Sequence, residues 1–188
     1  KADVTIGVIT VPIEEASRFG IVATDKKNRV TSFIEKPANP PSNLVNMGVY
    51  LFNRDLLDQI LWEDRQNENS THDFGRDVIP QLLRSKARVF AYPYTGYWMD
   101  VGTVTSYWQA HLDLLSPSPS LKLYDRNWVI YTRTGERAPV HIPGNAHVYA
   151  SMICNGAVIE ENARVESSVL SPGVIVRPGA VVRESIIL

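Results

Sequence analysis

The chain has 188 residues, of which 44% are hydrophobic and 21% charged, as expected for one ordinary domain or a domain with a small appendage. Its 19 basic and 20 acidic residues give a net charge of −1, and the absence of a basic run argues against a nucleic-acid partner. The single cysteine, Cys154, has no partner for an internal disulfide, which favours the reducing cytoplasm. No stretch approaches the roughly 20 apolar residues of a membrane helix. The sequence does not begin with Met, so we expect a further portion upstream.

The first third of the chain has the pattern of strands joined by short loops. A β-branched run over residues 4–11 predicts a buried strand. Two shorter runs, 20–24 and 29–35, flank the turn 25–28 and predict a β-hairpin. Residues 47–52 then predict a central strand.

Helical patterns follow the strands. Asn53 occupies the N-cap position before apolar residues at helical spacing over 56–61. A second helix is predicted around 78–83, a strand over 88–92, and a third helix over 107–115. This alternation of strands and helices predicts an α/β layer.

A proline-rich linker divides the sequence into two parts. Residues 116–120 read Ser-Pro-Ser-Pro-Ser, which cannot continue a helix and is typical of a semi-rigid linker. We therefore expect an α/β part over 1–115, a linker over 116–139 and a different architecture over 140–188.

That last part has a six-residue repeat. Two sets of aliphatic residues recur every six positions, the second shifted in phase: Ile153, Ile159 and Val165, then Val169, Ile175, Val181 and Ile187. The spacing is typical of a hexapeptide β-helix, in which inward aliphatics stack on the coil below and small residues turn the corners. An ordinary β-sandwich with coincidental spacing is the alternative.

Two places in the first 75 residues could hold a small ligand. Glu35 and Lys36 end a strand, where the carboxylate could bind sugar hydroxyls and the ammonium a phosphate; the alternative is a solvated pair at a strand terminus. Asp73 could also bind a sugar hydroxyl, but it is well placed to cap the next helix.

A third candidate lies before the third helix. Asp100 stands between the pair Tyr97-Trp98 and a glycine turn, where it could bind Mg²⁺ while Trp98 covers a substrate. One carboxylate is not a metal site, and an aspartate that stabilises its own turn is the alternative. The four histidines lack the spacing of metal ligands.

Six segments, taken in order, resemble bacterial glucose-1-phosphate adenylyltransferases. They are Pro12–Gly20, Phe33–Pro37, Met47–Tyr50, Glu68–Gly75, Tyr97–Thr103 and Tyr124–Trp128. The Glu-Lys-Pro motif is shared with uridylyl- and thymidylyltransferases, whereas the segments around Asp73 and Asp100 and at 124–128 point to the ADP-glucose branch.

The resemblance implies the C-terminal part of a nucleotidyltransferase domain, Rossmann-like and GT-A-like, followed by a left-handed parallel β-helix. It places eight residues around glucose 1-phosphate: Gly20, Glu35, Lys36, Asn46, Tyr50, Asp73, Phe74 and Trp98. Lys36 would contact the phosphate, and Asp100 would be a ligand of Mg²⁺; these two are the catalytic candidates. Asn46 stands where the family commonly has a serine.

The implied reaction converts ATP and glucose 1-phosphate into ADP-glucose and pyrophosphate for glycogen or α-glucan synthesis, in a homo-oligomer that is a tetramer in the family. No Gly-x-Gly series occurs here, so we expect this chain to supply the sugar-phosphate side and to be inactive alone. The alternatives are a non-catalytic regulatory paralogue, another NDP-sugar pyrophosphorylase, and a hexapeptide-repeat acyltransferase. The last is disfavoured because no histidine follows His147.

Overall fold

The computed structural model describes residues 1–131 and 135–188, which form two compact units, Lys1–Thr95 and Gly96–Leu188. The division between the units falls at Thr95, before the third helix. The domain boundaries expected at 115 and 139 stay predictions, and part of the expected linker, 132–134, lies outside the described residues.

A five-stranded sheet forms the first unit. Its strands are β1 (Val4–Thr10), β2 (Gly20–Thr24), β3 (Val30–Glu35), β4 (Leu44–Phe52) and β5 (Val89–Pro93), in the order β3-β2-β4-β1-β5. The predicted strands are confirmed, and β4 is central, although it begins three residues earlier than expected. The sheet is mixed: β1 and β5 pair in parallel, whereas β1–β4, β2–β3 and β2–β4 are antiparallel.

The first helix of this unit begins at a side-chain cap. α1 (Arg54–Arg65) starts at Asn53, whose side chain accepts a hydrogen bond from the Asp55 amide at 3.1 Å, as the sequence predicted. α2 (Ile79–Arg84) follows directly from a π-helical turn, Phe74–Val78. A short 3₁₀ turn, Ile13–Arg18, lies between β1 and β2.

The core of the first unit lies between one face of the sheet and the helices. Residues of β1 alternate between buried and partly exposed, as expected for a strand with one covered face. The fully buried side chains include Ile6 and Val8 of β1 and Ile79 and Leu82 of α2. This packing fixes the strand ends from which the site residues project.

An ion pair joins the chain before β1 to the start of β5, and it predicts acid sensitivity. Arg88 Nη2 lies 2.6 Å from Asp3 Oδ1, and the Arg88 amide donates to Asp3 Oδ2 at 2.9 Å. These bonds lower the pKa of Asp3 from 3.8 to about 2. The pair therefore stabilises the fold above pH 3.8, and this contribution is lost as the pH falls toward 2.

We expect the melting temperature of Asp3→Asn to depend less on pH between 3.8 and 2 than that of the wild type. Equal slopes in thermal melts would contradict this expectation.

The second unit contains α3 (Val104–Asp113) and a parallel β-coil. α3 begins with a reciprocal capping box between Thr103 and Ser106. The eight short strands of the coil are β6 (His147–Tyr149), β7 (Met152–Ile153), β8 (Val158–Ile159), β9 (Arg164–Glu166), β10 (Val169–Leu170), β11 (Ile175–Val176), β12 (Val181–Arg183) and β13 (Ile186–Ile187). They form three parallel sheets, β12-β9-β6, β13-β10-β7 and β11-β8, each a face of the coil. The repeat architecture is thus present.

The strand register shows a coil of 17 residues, because Ile153 pairs with Leu170 and Leu170 with Ile187. Each turn therefore contains one five-residue step among its six-residue steps. The core contains Ile159, Val165, Leu170 and Val176, with Ile153 and Val182 packed against it.

The second set of inward residues predicted from the sequence is consequently wrong by one position over most of its length. Ile175 and Val181 are 52% and 56% exposed, whereas their neighbours Val176 and Val182 belong to or pack against the core. Val169 is buried, but its side chain lies on the opposite side of the strand from that of Leu170. Ile187 is again at an inward position, stacked on Leu170, because a second five-residue step precedes it.

α3 is fastened to the coil within this unit. The Trp108 indole N–H donates to the Ser167 carbonyl at 2.7 Å. Across residues 1–131 and 135–188, no helix combines the length and apolarity that crossing a membrane requires.

Candidate functional site

The hairpin of β2 and β3 and the neighbouring strand β4 position the first candidate residues. Gly20, the first residue of β2, pairs with Glu35, the last of β3. Ile21 of β2 pairs in turn with Val45 of β4, next to Asn46. Because Gly20 pairs with Glu35 and adjoins the Ile21–Val45 pair, Gly20, Glu35 and Asn46 lie close together on three neighbouring strands.

Two glycines make room for the Glu35 carboxylate. A Cβ atom added at Gly20 would lie 2.8 Å from Glu35 Oε2, and one added at Gly75 would lie 2.4 Å from the same oxygen. Real Cβ atoms do not approach other atoms this closely, so a larger residue at Gly75 would displace the carboxylate, and one at Gly20 would displace the carboxylate and the Phe33 ring, whose Cζ lies 2.5 Å away. The Glu35 side chain is only 18% exposed, so these glycines define where its charge lies.

Asp73 places a second carboxylate in the same area. Its Oδ1 accepts hydrogen bonds from the Gly75 and Arg76 amides, both at 2.8 Å, which caps the π-helical turn. The capping alternative is therefore confirmed, and it does not exclude ligand binding, because both bonds engage the same oxygen. The Cβ position at Gly75 is 3.3 Å from Asp73 Oδ1 as well as 2.4 Å from Glu35 Oε2. Both carboxylates thus border one glycine, and a ligand here must donate hydrogen bonds.

Aromatic rings form an apolar wall beside the carboxylates. Tyr50 and Phe74 stack with centroids 5.5 Å apart and an interplanar angle of 15°. Asn46 Nδ2 donates to the Tyr50 hydroxyl at 2.7 Å, and the Gly48 amide donates to Asn46 Oδ1 at 3.0 Å. Burial raises the pKa of Tyr50, the charges of Glu35 and Asp73 raise it further, and the Asn46 bond opposes them. The Tyr50 hydroxyl therefore stays protonated and keeps a proton to donate.

Lys36 adds a cation next to this carboxylate pair. Its Nζ lies 3.8 Å from Glu35 Oε1, and its side chain is 59% exposed, so the charge is open to solvent. The Lys36 backbone has φ +45°, in the left-handed region that non-glycine residues seldom adopt, and its amide donates to the Phe19 carbonyl at 3.1 Å. Such strained residues cluster at functional sites.

The first unit thus brings together seven of the predicted residues: Gly20, Glu35, Lys36, Asn46, Tyr50, Asp73 and Phe74. Trp98 and Asp100 belong to the second unit, in a segment without regular structure. The Asp100 carboxylate folds over Gly102, where an added Cβ would lie 3.1 Å from Oδ2. This geometry agrees with an aspartate at a glycine turn.

The predicted metal ligand, Asp100, is a single carboxylate in the second unit and is not part of a cluster of ligands among the described residues. Within 1–131 and 135–188, no three His, Cys, Asp or Glu side chains gather as they would around a metal. Mg²⁺ is commonly held by one or two carboxylates together with substrate phosphates and water. Asp100 fits that pattern as a single ligand and does not make a site by itself.

Sequence reasoning gave no role to Gly75. A glycine after a capping aspartate carries no local signal that a carboxylate from another strand will lie against it. The short distance to Glu35 Oε2 arises only when the π-helical turn packs beside the end of β3. It is the folded arrangement that makes this glycine part of the site.

Two family models match the chain in agreement with its two architectures. The "Nucleotidyl transferase" model matches residues 1–117, and the "GlmU-like, C-terminal hexapeptide" model matches residues 141–188.

Similar proteins are named glucose-1-phosphate adenylyltransferase. The protein of Geobacillus stearothermophilus is 53% identical over 170 residues, which cover 90% of this chain and 43% of that protein. The proteins of Bacillus subtilis (strain 168) and Desulforamulus reducens are 50% and 48% identical, over 90% and 100% of this chain and 44% and 47% of theirs. The chain therefore spans less than half the length of these relatives. Because the first model matches more than half of its residues, the chain belongs to the nucleotidyl transferase family.

Proposed function

We propose that this chain supplies the glucose 1-phosphate side of a glucose-1-phosphate adenylyltransferase. The observation that carries the proposal is the convergence of the Glu35 and Asp73 carboxylates on Gly75, beside the Lys36 ammonium and the Tyr50 ring. Two acceptors, one cation and an aromatic wall match the hydroxyls, the phosphate and the carbon face of a sugar phosphate. The names of the relatives support the same substrate.

Each residue has a distinct task in this proposal. Glu35 and Asp73 accept hydrogen bonds from sugar hydroxyls, and the protonated Tyr50 hydroxyl can donate one. Asn46 fixes that hydroxyl through its 2.7 Å bond. Lys36 lies at the exposed end of the site, where its charge can meet the phosphate without being desolvated beforehand.

The reaction then joins this phosphate to the nucleotide. An oxygen of glucose 1-phosphate attacks the α-phosphorus of ATP, the bond from that phosphorus to the β-phosphate bridging oxygen breaks, and pyrophosphate leaves with ADP-glucose as the other product. A phosphate monoester has its second pKa near ~6 and is already largely ionised at neutral pH, so the step needs no general base. Catalysis consists of positioning and charge neutralisation, to which Lys36 contributes.

The remaining roles extend the proposal through the family resemblance. Gly20 and Phe74 complete the sugar surroundings, Trp98 covers the sugar, and Asp100 is one ligand of a Mg²⁺ ion that would neutralise phosphate charge. We also propose that the 17-residue coil is a left-handed β-helix and that the protein is a homo-oligomer, a tetramer in the family.

Isothermal titration of this chain with glucose 1-phosphate tests the proposal. We expect binding that weakens roughly tenfold in Lys36→Ala, because a charge-assisted hydrogen bond to phosphate is lost. Glu35→Gln, which keeps the shape but removes the charge, should weaken the sugar contact.

Lys26→Ala is the matched control, since Lys26 is an exposed lysine in the turn after β2. The proposal fails if the wild type shows no heat of binding, or if Lys36→Ala and Lys26→Ala bind alike.

A further inference from the structure

The loop that delivers Asp73 is held by two other carboxylates. Asp77 Oδ2 accepts from the Thr71 hydroxyl at 2.6 Å and from the Thr71 and Asp73 amides, both at 3.1 Å. On the other side, Asp64 accepts from the Ser70 hydroxyl at 2.6 Å through Oδ1. The loop is therefore anchored to α1 as well as to the turn that it precedes.

Asp64 is the more unusual of the two anchors. It lies in the last turn of α1, and its residue surface is only 4% exposed. Burying a carboxylate is costly unless it is hydrogen-bonded, and both of its oxygens are engaged, Oδ1 by Ser70 and Oδ2 by His72 Nδ1 at 2.7 Å. These bonds lower the pKa of Asp64, the Ser70 bond most strongly. Asp64 is thus a charged acceptor built into the base of the loop.

The residue that Asp64 holds has a strained backbone. His72 has φ +59°, a conformation that costs most side chains free energy, and it directly precedes Asp73. The His72 amide also donates to Ser70 Oγ at 3.0 Å, which closes a small network with Asp64. The direction in which the chain enters Asp73 therefore depends on the contacts of His72.

We propose that Asp64 is a positioning residue for the sugar part of the site. Through its hydrogen bonds to Ser70 and His72, Asp64 stabilises the left-handed backbone conformation of His72. This conformation directs the Asp73 carboxylate toward Glu35. This inference rests on the proposed function, because it takes Asp73 as a sugar-binding residue. Lys36 belongs to the β3 end and has no bond to this network, so phosphate recognition is independent of Asp64.

The test compares two ligands on Asp64→Asn by NMR titration of the labelled chain. Loss of the charged acceptor should weaken glucose 1-phosphate binding roughly tenfold, the effect of about one hydrogen bond to a charged group, and leave inorganic phosphate binding unchanged. If Asp64 had only a structural role, the substitution would weaken the binding of both ligands or of neither. Asp58→Asn is the matched control, because Asp58 lies on the same helix with its side chain 72% exposed.

A second variant separates the hydrogen bond from the backbone conformation. His72→Gly accepts a positive φ without strain but cannot contact Asp64, whereas the Ser70–Asp64 bond remains, so it should lose part of the sugar-phosphate affinity that Asp64→Asn loses. It also serves if Asp64→Asn fails to fold. Wild-type affinity for glucose 1-phosphate in His72→Gly would overturn the inference. Absence of wild-type glucose 1-phosphate binding would instead overturn the proposed function.

Discussion

Gly75→Ala is expected to weaken glucose 1-phosphate binding by about 10- to 100-fold, the range that corresponds to losing a hydrogen bond of about 1.5–3 kcal/mol to a charged carboxylate. The added methyl group would lie 2.4 Å from Glu35 Oε2 and 3.3 Å from Asp73 Oδ1, so it must displace at least one carboxylate. Gly75 is not among the positive-φ glycines of residues 1–131 and 135–188, so alanine is compatible with its backbone. The loss would therefore come from the site rather than from backbone strain. Isothermal titration of the variant measures it.

Gly144→Ala is the matched control for this substitution, because a Cβ there meets nothing within 4 Å. It should bind glucose 1-phosphate as the wild type does. Unchanged binding in Gly75→Ala would show that the placement of the Glu35 and Asp73 carboxylates beside Gly75 has no part in ligand recognition. A melting temperature lowered equally in both variants would show a general effect of alanine instead.

Leu170→Ala is expected to destabilise the parallel coil by about 2–5 kcal/mol. Leu170 is fully buried and stacks between Ile153 and Ile187 in one inward column, so truncation leaves a cavity that its neighbours on rigid strands cannot easily fill. Hydrogen exchange of peptides covering residues 147–188, followed by mass spectrometry, reports the stability of the coil separately from that of the first unit.

The variant Ile175→Ala, measured in the same hydrogen exchange experiment, tests the 17-residue register of the coil. Ile175 would be an inward residue if a strict six-residue repeat continued from Val169, but it is 52% exposed in the structure. Its truncation should change the exchange rates by the equivalent of about 0.5 kcal/mol or less. Similar losses in both variants would contradict the observed register.

The local parts of the fold could be predicted because local interactions decide them. Asn53 as an N-cap, the hairpin turn at 25–28 and the strand at β1 all follow from residue type and spacing within a few positions. The mixed character of the sheet could not, because strand direction is set by pairing between distant segments. β1 pairs in antiparallel with β4, which follows the β2–β3 hairpin, and in parallel with β5, which follows α1 and α2.

The coil architecture of the repeat could be predicted from the sequence, but most inward positions of its second half were wrong by one residue. Six-residue spacing correctly indicated a coil, but a single five-residue step in each turn moves the inward position from Ile175 to Val176. Such a step leaves no composition signal, since both residues are aliphatic. Only the pairing of successive coils shows which of two neighbouring aliphatics points inward.

The candidate site was predicted residue by residue through resemblance rather than from local chemistry. Taken alone, Asp73 looked like a cap, and the structure shows that it is one. What the sequence could not give is the shared border of Asp73 and Glu35 at Gly75, or the support of the loop by Asp64, because both depend on contacts between separate elements.

Pyrophosphate release by the gene product that contains this chain tests the central proposal most directly. The assay supplies glucose 1-phosphate and Mg²⁺ with ATP, UTP or dTTP in parallel, and it includes Lys36→Ala. We predict release with ATP and a KM for glucose 1-phosphate that rises roughly tenfold in Lys36→Ala. Release with UTP or dTTP but not with ATP would assign the protein to another NDP-sugar branch. Silence with all three nucleotides would contradict a catalytic role and leave the regulatory paralogue.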